Sequence, residues 1–137
     1  MASAFYTQYR ETMLGGGTRV VLTSGTIKVR AVNTGTDYTF SAAHTALASI
    51  TAYSGTTDPT ISANKAITGG VFDADDITSA WTSVDIDGAK TIDALVIYED
   101  AATDVMCAYL ELGTSFTPNG GDINLNWNGS GIWAVGA

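Results

Sequence analysis

One cysteine, Cys107, excludes an internal disulfide and any metal site built from cysteines alone. One histidine, His44, and the lack of any G-x-S-x-G elbow leave a hydrolytic triad without its usual signature. Six Lys and Arg residues, spread along the chain, are too few to track a phosphate backbone, which argues against a nucleic-acid partner. No apolar run approaches the ~20 residues of a membrane span, and no charged segment followed by an apolar one opens the chain. The expectation is a soluble protein made in a cytoplasm, without a membrane partner. Proline is also scarce, at two residues.

What is abundant points one way. There are 20 threonines and 15 glycines, and 45% of residues are hydrophobic against 15% charged. Threonine favours strands and glycine favours tight turns, so the bias is towards an all-β globular fold. A chain of 137 residues fits one domain, 1–137, that buries roughly two-thirds of its unfolded surface. The net charge of −8 is divided unevenly: residues 1–68 carry +2 and residues 69–137 carry −10. Such asymmetry either keeps the protein soluble or gives it two faces with different neighbours.

Residues 3–14, SAFYTQYRETML, are the one good helix candidate, with Ser3 as cap and Phe5, Tyr9 and Met13 on one face. Gly15, Gly16 and Gly17 stop the helix and form a hinge. The helix either folds back over its own core, the commoner outcome, or reaches a neighbouring subunit. From residue 18 the period changes to two. Ile27, Val29 and Ala31 share one strand face and Lys28 and Arg30 the other. Residues 41–50 read as a turn of helix crossing between sheets, and further strands are expected near residues 60–68, 71–72 and 77–84. The run IDALVIY, 92–98, reads as a central strand covered on both sides. In 105–112, Met106, Ala108, Leu110 and Leu112 form one apolar face. In 122–128, Ile123, Leu125 and Trp127 point inwards and Asp122, Asn124, Asn126 and Asn128 outwards. About eight strands result, which predicts an antiparallel β-sandwich, jelly-roll-like, with a short N-terminal helix.

Several residues invite chemical readings. Asp73, Asp75 and Asp76 suggest calcium, but the helix-loop-helix calcium pattern fails, with Thr78 and Val84 where Gly and Glu are needed. A turn whose Asp side chains accept backbone N–H bonds fits better, and no metal or other cofactor is expected. Asp85-Ile86-Asp87-Gly88 reads as a hairpin turn with Gly88 at positive φ. Cys107, inside a strand, suits a small buried side chain better than a nucleophile. No acid cluster has an Arg or His beside it to tune it, so no catalytic residue is assigned. Trp81 and Trp133 raise sugar stacking on exposed rings; core or subunit interface is the better reading of both.

The segments also occur in a familiar order. A short helix runs into Leu14-Gly15-Gly16, followed by Thr26-Ile27-Lys28-Val29 and an aromatic-tipped stretch through Tyr38 and Phe40. Then come G-G-V-F-D-A-D-D at 69–76, A-L-V-I-Y at 94–98, and P-N-G-G-D-I at 118–123 running into an N-W-N strand. This ordered set resembles the small β-sandwich virion structural proteins of tailed bacteriophages, with Arg30 standing where a small apolar residue is more typical. The resemblance implies a non-enzymatic role in the virion, capsid decoration or cementing of the head shell above all. A tail, neck or fibre component, or a host-glycan-binding module, is the alternative. The implied partners are a major capsid protein or other virion proteins, and further copies of the chain in a homo-oligomer, with a trimer suiting threefold positions. The contact residues expected on this reading are Phe5, Tyr9, Arg10, Met13, Arg19, Lys28 and Arg30.

Overall fold

The computed structural model describes residues 3–17 and 19–134. Its strands are β1 (Ala4–Phe5), β2 (Ile27–Val32), β3 (Thr60–Ile61), β4 (Ala66–Thr68), β5 (Val71–Asp73), β6 (Ile77–Trp81), β7 (Ile92–Glu99), β8 (Val105–Phe116), β9 (Ile123–Leu125) and β10 (Trp133–Ala134). One short helix, α1 (Thr7–Met13), follows β1, and a 3₁₀ turn spans Leu47–Ser49. The strands form a five-stranded sheet in the order β1-β8-β7-β2-β3, a three-stranded sheet β10-β5-β4 and a two-stranded sheet β6-β9, and every strand pair is antiparallel. The fold is all-β with a short N-terminal helix, as expected.

The large sheet is covered on both faces. Ile27, Val29 and Ala31 of β2 and Leu95 and Ile97 of β7 pack with Phe72, Trp81, Ile123, Leu125 and Trp133 of the smaller sheets. On the opposite face, Val32, Ala94, Val96 and Tyr98 lie under Tyr6, Tyr38 and Ile50, with Phe40 and Leu47 alongside. Residues that follow β2 thus form a lid over the second face, and the expected central strand is β7.

Three local expectations are corrected. The helix begins at Thr7, not Ser3, because residues 4–5 extend the large sheet. Ala4 and Phe5 pair with Tyr109 and Ala108, and the Ser3 hydroxyl accepts from the Glu111 N–H at 2.9 Å instead of capping. Ladder bonds to an open edge outweigh the weak intrinsic stability of a short helix. The face of β8 is also split. Tyr98 pairs with Met106 while Ile97 pairs with Ala108, so Cys107 is the extra residue of a β-bulge. The bulge reverses parity, and Met106 joins the face opposite Ala108. Finally, the turn at Gly88 has φ +60° and the Lys90 N–H bonds the Asp87 carbonyl, but it joins strands of different sheets and is no hairpin.

The glycine stop falls where the sequence places it. Gly15 has φ +89°, the Gly16 N–H bonds the Glu11 carbonyl at 2.8 Å and the Gly15 N–H bonds Thr12 at 3.2 Å. That double bond pattern is a Schellman close, which needs a residue tolerant of the left-handed region at Gly15. Helix α1 then folds back on its own chain: the Tyr9 ring lies 5.4 Å from Phe5 and 6.0 Å from Trp133, and Trp133 lies 4.9 Å from Phe72.

Cys107 is fully buried, and burial pushes its thiol up to about 12. Because the thiolate is the reactive form, the native protein should resist a thiol reagent at mild alkaline pH and react fully once denatured. Rapid labelling of the native fold would show that the bulge opens.

Candidate functional site

The described residues hold no deep cleft with converging polar groups, and no group of three or more His, Cys, Asp or Glu gathers among them. What stands out is a surface at the C-terminal end of α1. Met13 is 40% exposed and Leu14 89%, and Arg10, one turn earlier on the helix, is exposed as well. A surface cleft of about 440 Å³ between Tyr9, Met13, Gly15, Arg19 and Val20 continues the patch. The Schellman close creates it, since a helix that ends on glycine leaves the side chain before the turn uncovered.

The charges of this patch differ from the other cations. Lys28 pairs with Asp100 at 2.7 Å, and Lys90 with Asp37 at 2.8 Å and Asp87 at 2.9 Å. Lys65 donates to the Gly25 carbonyl. Arg10 donates only to the Thr7 hydroxyl at 3.1 Å, and neither it nor Arg19 has an ion pair among the described residues. An unpaired arginine beside exposed apolar side chains fits the rim of a protein contact, where arginine is enriched.

Of the expected contact residues, Arg10, Met13 and Arg19 therefore come together. The others do not join them. Tyr9 is buried and Phe5 packs against the same core. Lys28 and Arg30 lie on the opposite face of β2, and Arg30 is engaged inside the chain. Its guanidinium meets Asp58 at 2.8 Å and donates to the Ile50 carbonyl at 2.7 Å, while Tyr98 Oη donates to the same Asp58 carboxylate at 2.7 Å. Arg30 is thus a clamp that holds the lid, and Asp58 explains the unusual residue without any neighbour. Leu14 is not among the expected contact residues, although the glycines at 15–17 mark the place where the helix stops.

In the acidic turn one of the expected bonds from a backbone N–H is present, since Asp76 accepts the Trp127 N–H at 2.7 Å, whereas Asp75 accepts from the side-chain amide of Asn64 at 2.7 Å. Trp81 and Trp133 are buried, at 3% and 8% exposure, so neither ring offers a face to a sugar. The Trp81 indole donates to the Thr57 carbonyl at 2.8 Å. Trp127 is half-buried, and its indole nitrogen is sequestered without an acceptor. His44 is tied to the lid, where its Nδ1 shares a 3.0 Å hydrogen bond with Tyr38, whose hydroxyl also meets that of Tyr6 at 2.6 Å. Burial, first of all causes, raises the phenols of Tyr6, Tyr9, Tyr38, Tyr98 and Tyr109 above their ordinary range. These are neutral structural groups of the interior.

Among the described residues, no helix is long and apolar enough to cross a membrane. Compared with known proteins, the chain matches no protein-family model, no curated sequence and no solved structure.

Proposed function

We propose that this chain is a non-enzymatic structural protein of a tailed-phage virion, a capsid decoration or cement protein that acts by burying surface between shell components. The observation that carries the assembly role is the patch at the end of α1: exposed Met13 and Leu14 flanked by Arg10 and Arg19, which form no ion pair among the described residues. Exposed apolar side chains grouped with arginine support a protein-contact role better than a catalytic one. The virion setting rests on the ordered resemblance of segments described above. In this reading the partners are the major capsid protein or other virion proteins together with copies of the chain itself. Interfaces of even ~800 Å² per partner, repeated around a shell, add up through multivalency.

The test is incorporation into particles. Leu14→Asp places a charge on an exposed side chain, so it should leave folding intact while reducing the protein recovered with purified particles by tenfold or more (~1.4 kcal/mol or above). Incorporation at the wild-type level would remove this patch as the contact surface.

A further inference from the structure

The patch has a complement on the same molecule. A groove of about 350 Å³ lies between the later part of β8 and the segment that follows β9, floored by Leu95, Leu110, Leu112 and Leu125 and walled by Trp127 and Gly131. Two properties of the two surfaces match. The helix end presents uncovered Met13 and Leu14, and the groove presents a leucine floor. Arg10 and Arg19 have no ion pair among the described residues, while acids border the groove. Glu111 lines it, Asp76 holds the Trp127 backbone, and the Asp73 Cβ would lie 3.8 Å from a Cβ placed at Gly131.

We propose that the end of α1 in one copy seats in the Trp127 groove of the next, with Leu14 as the inserted side chain. This rests on the reading of the patch as an assembly surface, and it names its partner as a second copy of this chain. Because the two surfaces differ, the contact is heterologous and generates a ring when the rotation closes or a filament when it does not. The leucine–leucine contact gives affinity, and the arginine–acid match sets orientation and weakens with salt.

The experiment uses the whole chain and two variants. Leu14→Asp disables the inserted end and leaves the groove. Gly113→Arg fills the groove and leaves the helix end; a side chain at Gly113 meets nothing within 4 Å at its Cβ, so the fold should tolerate it. Light scattering coupled to size exclusion should show wild-type assemblies larger than a monomer. Each variant alone should be monomeric, with the dissociation constant raised ~30-fold or more. Mixed in equal amounts, the two should form a heterodimer and nothing larger, because only one intact end and one intact groove remain. Leu14→Ser and Gly113→Trp repeat the test should either first variant fail to fold. A monomeric wild type at high concentration, a variant that still assembles, or a mixture that stays monomeric would each overturn the proposal. A monomeric wild type combined with loss of Leu14→Asp from particles would overturn only the choice of partner. Normal incorporation of Leu14→Asp would overturn the assembly role of the patch itself.

Discussion

Arg30→Met should lower the unfolding free energy by about 2–4 kcal/mol and the melting temperature by roughly 6–15 °C. The side chains of Arg30 and Asp58 are 19% and 10% exposed, so the pair is desolvated on most sides. Removing the guanidinium leaves the Asp58 carboxylate with only the Tyr98 hydroxyl and strips a donor from the carbonyls of Leu47 and Ile50. An uncompensated charge under the lid is the main penalty; lost packing of the arginine stem is secondary. Arg30→Met combined with Asp58→Asn removes the stranded charge and keeps an acceptor for Tyr98. The double variant should therefore be more stable than Arg30→Met alone. Denaturant titration of Arg30→Met, Asp58→Asn and the double variant measures the coupling. A loss below ~0.5 kcal/mol for Arg30→Met would mean that the clamp contributes nothing beyond an ordinary surface residue.

Alkali should unfold the protein in one cooperative step. Tyr6, Tyr9, Tyr38, Tyr98 and Tyr109 are held neutral by burial above all, with the Tyr38 hydroxyl adding to the effect at Tyr6 and the Asp58 carboxylate at Tyr98. In the unfolded chain a phenol ionises near ~10. Folded values above the unfolded ones mean that this stability is fully present below about pH 10 and is lost as pH rises beyond it. The slope is about 1.4 kcal/mol per pH unit for each phenol that stays protonated only in the folded state. The buried Cys107 thiol acts in the same direction. Three such phenols remove about 8 kcal/mol over two pH units, and all five about 14, against a typical stability of about 5–15 kcal/mol. Phenolate absorbance should accordingly rise together with loss of the sheet signal in circular dichroism. Phenolate appearing at its ordinary pH while the sheet persists would show that the second face of the large sheet is open to water.

Periodicity carried far in this chain. The alternation of β2, the two-sided burial of β7 and the inward Ile123 and Leu125 of β9 are all legible, because burial on a pleated sheet imposes period two. The helix stop is legible because Gly15 is required for backbone reasons. Other features depend on partners distant in sequence. The start of α1 depends on an open edge of β8 more than a hundred residues away. The position of Met106 depends on a bulge that no local pattern announces. Trp81 sits among Thr, Ser and Ala and resembles a surface residue, yet Thr57 satisfies its indole and the core takes its ring. Arg30 matches a contact residue in every local respect until Asp58 is brought beside it. The patch was half legible: Arg10, Met13 and Arg19 follow from charge and helix periodicity. Leu14 lies off the Phe5–Tyr9–Met13 stripe, and its exposure comes from how the chain leaves the helix.

The proposed virion role is tested by immunogold electron microscopy of intact phage particles from cells that produce this chain, with antibody raised against the folded protein. A shell decoration protein gives dense label over the head, and quantitative mass spectrometry of the same particles gives a copy number that scales with the shell subunits. Label confined to the tail or its tip would keep the assembly chemistry and move its place on the particle. Unlabelled particles, with the protein abundant in infected cells but missing from purified virions, would contradict the role outright.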